Sequence, residues 1–312
     1  MLVRTGGLMR HLQIYRFITE VARRGSIRKT ADHLHITPSA LTRKIQDFEE
    51  ELGTPVFERL PQGMRLNAAG ELLLRHIRDQ SADFERLHTQ LSDLAGIRRG
   101  HVALACSQAF VDSVLPDEIA AYRAQFPQVT FSLDVRDNVQ GVSALANYEA
   151  DLALLVDPPP SADVREWFVK HQPLCAVVSK SHPLAKTDSV RLRDCLKHPI
   201  AMPSQALAIR TLLDEATYRL QLQAEIAVES DSLEFLRSFV VRESAVTFLP
   251  LSGVPRADDR ICALPISRQD IDHLRVVLGQ LKGRTLSIAA EKFADQLSSH
   301  LANLPYAFTG GD

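Results

Sequence analysis

Apolar residues recur at three- and four-residue steps through the amino-terminal third of the chain. Further on they give way to short apolar runs separated by turn residues. Leu12, Ile14, Tyr15, Phe17, Ile18, Val21 and Ala22 form one stripe and predict a first helix from His11 to Arg23, ended by Gly25. Ser26 is placed to cap a second helix, because its hydroxyl accepts a bond from an orphan backbone N–H. Ala31 and Leu34 give that helix an inward face, and the tight turn His35-Ile36 follows at once. Thr37 then caps a third helix with Pro38 at its first position, where the missing N–H costs nothing. Leu41, Ile45, Phe48 and Leu52 make its apolar face, while Ser39, Thr42, Arg43, Lys44 and Gln46 line the other face of its first two turns. Gly53 is suited to a left-handed C-cap. A short helix, a tight turn and a capped longer helix with a polar, basic front end is the layout of a helix-turn-helix reader.

Val56-Phe57 and Met64-Arg65-Leu66 flank a Pro-Gln-Gly turn and predict a small hairpin, a wing, with Arg59 and Arg65 available to a phosphate backbone. Asn67 is the expected N-cap of a long helix with no proline before Pro116. Along it Leu73, Ile77, Gln80, Phe84, Leu87, Leu91 and Leu94 alternate steps of four and three, a heptad seam with one polar position. A single amphipathic helix lying on its own domain has the same stripe, but the narrow seam favours a two-stranded coiled coil with Leu73, Ile77, Phe84, Leu87, Leu91 and Leu94 as dimerisation residues. Two readers so joined would face an inverted repeat in the DNA.

Beyond the hinge Arg98-Arg99-Gly100 the period changes. Short buried or alternating strands are expected at His101–Cys106, Val129–Val135 and Leu152–Val156, with helices over Val111–Phe126 and Val142–Glu149. After the rigid Asp157-Pro158-Pro159-Pro160 segment a second run follows. Strands are expected at Leu174–Val178, Pro199–Met202, Ile226–Val228, Ala245–Leu249 and Arg275–Leu278, with helices over Ile209–Arg219, Ser232–Val241 and Ser287–Leu301. The alternation points to mostly parallel, helix-covered sheets in two lobes, with a small-molecule cleft at the strand C-terminal ends.

Charge sharpens this division. The net charge is −2, yet the stretch from Arg10 to Leu66 holds ten basic residues against seven acidic, so a basic module is joined to an acidic remainder. The four cysteines, Cys106, Cys175, Cys195 and Cys262, form no CxxC pair, which argues against structural zinc and a disulfide scaffold. No apolar run reaches transmembrane length and no signal peptide is read, so a cytoplasmic location without membrane contact is the expectation. Residues 1–8 fit no pattern, and Met9 is a natural alternative start.

From Met9 on, the chain resembles the LysR-type transcriptional regulators. The most specific part is FITEVARRGSIRKTADHLHITPSALTRKIQDFEEELGTPVFER followed by RLNAAG; Leu115-Pro116, Phe126-Pro127, Ala150-Asp151-Leu152-Ala153, His182-Pro183-Leu184-Ala185 and Phe248-Leu249-Pro250 add to it. Pro38, Leu60 and Glu243-Ser244 depart from the commoner family residues. The resemblance implies an α+β multi-domain fold: a winged helix-turn-helix over 9–66, a linker and dimerisation helix over 67–97, and a two-lobed α/β effector domain over 98–303. Lobe I would take about 100–160 and 276–303, lobe II about 161–275. It implies double-stranded promoter DNA as a partner, with RNA polymerase, a second copy as dimer or tetramer, and a small effector in the interlobe cleft. Ser26, Arg28, Lys29, Thr37, Pro38, Ser39, Thr42, Arg43, Lys44 and Arg59 are the DNA candidates. Ser107, Gln108, Asn138, Ser204, Gln205, Thr247 and Phe248 are the effector candidates, and Ser107 at an expected helix N-terminus suggests an anionic or carboxylate-bearing metabolite. Trp167 and Cys106 read as core. No cofactor or metal is expected. An enzyme is the rival class, but no nucleophile elbow, phosphate loop, metal-spaced His pair or dinucleotide fingerprint stands in the chain. A transport-type solute binder is a second rival, opposed by the amino-terminal reader.

Overall fold

The computed structural model describes residues 5–60, 63–94, 100–255 and 258–304; side chains of 5–12, 59, 82, 85, 86 and 88–94 lie outside the description. The chain divides into two compact units, Met1–Glu85 and Arg86–Asp312.

In the first unit, helices α1 (Thr5–Arg24), α2 (Ile27–His33) and α3 (Pro38–Leu52) precede a hairpin of β1 (Phe57–Leu60) and β2 (Gly63–Leu66), and α4 (Ala68–Leu94) follows. The expected caps form. Ser26 accepts from Lys29 N, Thr37 from Ala40 N, and Gly53 takes the left-handed conformation at φ 77°. Ile18, Val21, Ala31 and Leu41 are fully buried at the centre. Three expectations change. α1 begins at Thr5 rather than His11, because a nucleated helix gains a backbone bond per added residue without needing an apolar stripe. Leu52 is 43% exposed, since the last turn of α3 runs past the core it shares with Leu41 and Ile45. Ile77 is buried and Leu73 half-buried in this unit's own core, beside Leu74, so the first part of the heptad seam packs within the chain.

Asn67 fixes the start of α4 twice over. Its Oδ1 accepts from Gly70 N at 2.8 Å and its Nδ2 donates to Pro55 O at 2.8 Å. Phe84 and Leu87, further along the same helix, are about half exposed at 51% and 50%. The side chains of Leu91 and Leu94 lie outside the described residues.

The second unit holds two five-stranded arrangements of matching order. Lobe I uses β3 (Gly100–Cys106), α5 (Leu115–Gln125), β4 (Val129–Val135), α6 (Asn138–Ala146), β5 (Leu152–Val156) and β6 (Val164–Gln172). The chain then enters lobe II through Pro173. That lobe uses β7 (Leu174–Ser179), α7 (Leu192–Cys195), β8 (Ile200–Pro203), α8 (Ala208–Arg219), β9 (Ile226–Ser230), α9 (Leu233–Arg242), β10 (Thr247–Pro250) and β11 (Ile261–Pro265). It returns to lobe I with β12 (Leu274–Leu281) and α10 (Ile288–Asn303). The lobe I sheet has the order β4-β3-β5-β12-β6, with β12 antiparallel to both neighbours. Lobe II repeats the plan: β9 pairs β8 in parallel, a parallel bridge between Ile200 and Val246 leads to β10, and β7 lies antiparallel between β10 and β11.

Each five-strand arrangement is therefore mixed rather than uniformly parallel, because the strand arriving from the other lobe runs against the rest; in lobe II it is built of an antiparallel three-stranded sheet and a parallel pair joined by that bridge. β6 moves residues 164–172 from the expected lobe II into lobe I. It stands at the end of the strand order, and its exposed Arg165, Glu166 and His171 suit an edge strand. Its Trp167 packs half-buried against the lobe core with the Arg165 guanidinium 5.5 Å over the ring.

Candidate functional site

The amino-terminal turn of α3 is the first candidate site. Leu41 and Ile45 fix which side faces the core. At about 100° per residue, Ser39, Arg43 and Gln46 then project from the opposite side. Ser39, Arg43 and Gln46 are exposed, as are Thr37 and Pro38. Thr42 lies at the flank, half-buried, with its hydroxyl donated back to Pro38 O at 2.8 Å. Lys44 sits on the other flank, its ammonium 5.9 Å from the centroid of the buried Phe17 ring. Ser26, half-buried, and the exposed Arg28 and Lys29 stand together at the start of α2. The side chain of Arg59 lies outside the described residues.

The wing is tied to these helices by contacts between distant residues. Met64 N donates to Gly25 O at 2.8 Å, and a Cβ on Gly63 would run into that carbonyl oxygen. Glu49 Oε1 accepts from Val56 N at 2.7 Å and Phe57 N at 3.2 Å, joining the end of α3 to β1. This role of Glu49 depends on a strand that begins beyond the helix, so the helical spacing does not reveal it.

The second candidate is the cleft between the lobes. Its inner end is a hollow of about 30 Å³, room for one water, bordered by Ser107, Gln108, Arg136, Asn138, Leu207 and Leu233. It shares Asp137, Asn138 and residues 206–208 with a wider space of about 440 Å³ that also meets Val139, Asp157, Gln205, Thr211, Leu212 and Glu215. Lobe I contributes the ends of β4 and β5 and the start of α6; lobe II contributes the start of α8.

The expected effector residues have separate fates. Ser107 Oγ accepts from Val156 N at 3.1 Å and donates to Asn138 Oδ1, while Asn138 Nδ2 donates to Val156 O and Asp157 O. Both side chains thus stitch strand ends together at the cleft floor. Ser107 caps no long helix: only a three-residue 3₁₀ turn, Gln108–Phe110, follows it, and α5 starts at Leu115. So short a turn aligns too few peptide dipoles for the expected anion site. Gln108 reaches across the cleft and accepts from Leu233 N at the start of α9, 3.2 Å away. Gln205 is exposed and donates to Asp214 at 3.0 Å. The Ser204 hydroxyl is buried without a partner among the described residues, as is that of Thr247. Phe248 is fully buried in the core, so it belongs to packing rather than to the cleft.

The charge of the cleft was not foreseen. Asp137, Asp157 and Glu215 border the wider space, and no Lys or Arg does. Arg136, at the inner hollow, is shared between Asp134 at 3.3 Å and Glu149 at 3.8 Å. Asp137 is the N-cap of α6, accepting from Gln140 N at 2.7 Å, a helix start four residues earlier than the apolar pattern indicated. Two further contacts clasp the lobes. Asp112 pairs with Arg237 of α9, and Gln172 and Ser252 exchange two buried hydrogen bonds at the crossover.

None of the four cysteines is in a disulfide; Cys106, Cys175 and Cys195 are buried and Cys262 partly so. Burial pushes the thiols of Cys106 and Cys195 up to about 12, so neither is a thiolate near neutral pH. Among the described residues no group of three His, Cys, Asp or Glu side chains is placed to hold a metal, and no helix is long and apolar enough to cross a membrane.

A winged helix-turn-helix followed by a two-lobed α/β domain with an interlobe cleft defines a ligand-responsive DNA-binding class. Residues 12–71 match the family described as "Bacterial regulatory helix-turn-helix protein, lysR family", and residues 95–302 match "LysR substrate binding domain". The chain belongs to the LysR family of transcriptional regulators. It is similar to the transcriptional activator CmpR of Synechocystis sp., at 24% identity over 94% of this chain and 97% of that protein. It is also similar to the dual regulator GltC of Bacillus subtilis, at 26% identity over 90% of this chain and 94% of that protein. Among solved structures, full-length OxyR from Pseudomonas aeruginosa superposes with a TM-score of 0.68 at 18% identity, covering 95% of this chain and 96% of that one. Full-length CbnR complexed with its target DNA gives 0.59 at 17% identity, covering 92% and 99%.

Proposed function

We propose that the chain regulates transcription by binding an inverted-repeat promoter site as a dimer or tetramer, under control of a small molecule held between the lobes. The observation that carries this is the front of α3. Thr37 caps it, Leu41 and Ile45 anchor its back, and Ser39, Arg43 and Gln46 project outward with the wing bonded alongside. Base edges are read from such a face, while Ser26, Arg28, Lys29, Thr37 and Arg59 hold phosphates. Pro38 shapes the helix start, and Thr42 and Lys44 border the reading face. Phe84 and Leu87, with Leu91 and Leu94, supply the seam for self-association; RNA polymerase is the downstream partner. Support for the effector reading is the cleft itself, walled by both lobes of a domain whose family is described as substrate binding.

Ligand control acts through differential affinity for two arrangements of the assembly. A gel-shift titration on the chain's own upstream region tests the DNA reading. Arg43→Ala is expected to weaken specific binding by about tenfold or more, a base or phosphate contact being worth about 1–3 kcal/mol. Unchanged affinity in that variant, or no retardation at modest salt, refutes it.

A further inference from the structure

The wider interlobe space is bounded by three carboxylates, Asp137, Asp157 and Glu215, none of which has a cation partner among the described residues. The basic groups nearest in sequence are already committed. Arg136 is divided between Asp134 and Glu149, Arg210, near the start of α8, pairs with Asp214 and Glu229, and Arg219, one turn after Glu215, donates to Asp270 O. Like charges gathered around a concave space concentrate a negative potential there, most strongly at low ionic strength. Such a wall repels a carboxylate ligand and attracts a cation. Apart from the polar Asn138, Gln205 and Thr211, the remaining lining is apolar, chiefly Val139, Leu207 and Leu212. That surface suits hydrocarbon rather than a hydrated metal ion, which would keep its water shell.

We propose that the effector is an organic cation: one or two ammonium groups on a short aliphatic chain, with the ammonium bound by Asp157 and Glu215. This deepens the reading of the cleft as an effector site and depends on it, and it replaces the anionic ligand expected from a helix N-terminus at Ser107. Asp137 adds to the field, but one of its oxygens also caps α6, so it is left intact in the test. Asp157 has φ 53°, a left-handed conformation that Asn tolerates well, so Asp157→Asn removes the charge without new backbone strain. Glu215 is exposed on α8 and free to become Gln.

The test is a thermal-shift titration of the full chain at low ionic strength with 1,5-diaminopentane, with pentanedioate of the same length and opposite charge, and with magnesium chloride. The diamine is expected to raise the melting temperature saturably while pentanedioate does not. In the Asp157→Asn/Glu215→Gln double variant the apparent diamine affinity should fall about tenfold or more, since ionised partners make the strong hydrogen bonds. Asp272→Asn, a charge removal at a residue that does not border the cleft, should leave it unchanged. Stabilisation by pentanedioate alone, an equal response to magnesium, or a diamine response untouched by the double variant overturns the proposal. So does the absence of any response. Ala208→Trp, which fills the cleft, separates the two levels. If pentanedioate stabilises the chain and Ala208→Trp abolishes that, the ligand class is wrong and the effector cleft stands. A small-molecule response unaffected by Ala208→Trp removes the cleft reading itself.

Discussion

The clasp between Asp112 and Arg237 gives a prediction whose sign pattern is diagnostic. Arg237 lies on α9 with its side chain 7% exposed, and its Nη1 has no partner among the described residues. Asp112 is 43% exposed, on the lobe I side. Neutralising the acid leaves a buried guanidinium without its main counter-charge. For a fully buried pair that costs about 3–5 kcal/mol. Here water reaches Asp112, and Asp258 lies close enough for the Arg237 charge to hold its carboxyl down, after the larger effect of its hydrogen bond to Arg260. The discounted cost of Asp112→Asn is about 2 kcal/mol. Arg237→Met keeps the packing of the stem and removes the charge that needs a partner, so it should cost about 1 kcal/mol or less. Urea unfolding followed by the fluorescence of Trp167 reads this directly, because the chain's one tryptophan stands in the lobe I sheet. About 2 kcal/mol corresponds to a fall of about 4–8 °C in melting temperature for a unit of this size. The double variant should lose little beyond Arg237→Met, since its asparagine no longer faces a charge. If Arg237→Met proves as costly as Asp112→Asn, or neither changes stability, the clasp is no more than a surface pair.

Other perturbations have equally definite outcomes. Gly63→Ala places a Cβ against Gly25 O at a residue with φ 135°, and should detach the wing; gel shifts should show weaker binding on every DNA sequence, with a smaller salt slope. Phe84→Glu combined with Leu87→Glu should lower the oligomeric state in sedimentation velocity without unfolding the winged unit, because both side chains are exposed; an unchanged sedimentation coefficient places self-association elsewhere. Asp270 is held below the usual carboxylate range by its hydrogen bonds from Arg191 and, after the opposing effect of burial, from Leu192 N. A depressed folded pKa means its stabilisation is fully present above the unfolded value, about 3.9, and is lost as pH falls through the folded one. Asp270→Asn should therefore lower the melting temperature at neutral pH and flatten its acid limb; parallel limbs in variant and wild type would contradict the assignment.

What could be read from the chain beforehand followed the range of the interaction. Ser26, Thr37 and Asn67 each cap a helix through an N–H three residues on, so local spacing sufficed; Ser232 and Ser287, expected as first helical residues, also prove to be caps of this kind. β6 escaped because its charged residues break the apolar pattern: Arg165 and Glu166 are exposed at the edge, and Lys170 is spent on the carbonyls that end α10, a partner more than 130 residues away. Ser107, Gln108 and Asn138 follow strands that the apolar runs mark, but the bonds they make there are not legible locally. Ser107 is bonded to Val156, Gln108 to Leu233 and Asp112 to Arg237, partners from 49 to 125 residues away. The acidic wall was hidden for the same reason: Asp137, Asp157 and Glu215 share nothing in sequence, and only the two-lobed topology brings them to one space.

The heptad seam shows how one periodicity serves two surfaces in succession. A stripe stepping by three and four is the same whether a helix faces its own domain or a second helix. In α4 the early positions, Leu73 and Ile77 with Leu74, are consumed by the winged unit, and Phe84 and Leu87 are left outside it. Asn67 and Gly70 leave little play at the junction. Asn67 bonds both Gly70 N and Pro55 O, and a Cβ on Gly70 would strike Val56 O. The α4 stem, from Ala68 to Ile77, and the hairpin are therefore one rigid piece. A pairing of two chains through Phe84 and Leu87 would set the angle and spacing of two wings and two α3 helices by covalent continuity, within the stiffness of a helix. Half-site spacing in the DNA should then respond to insertions in α4 between Ile77 and Phe84. One added residue turns the winged unit by about 100° relative to the Phe84–Leu87 seam and should abolish binding to the original site while leaving self-association intact, whereas seven added residues, about two turns, nearly restore the phase and should bind half-sites set further apart.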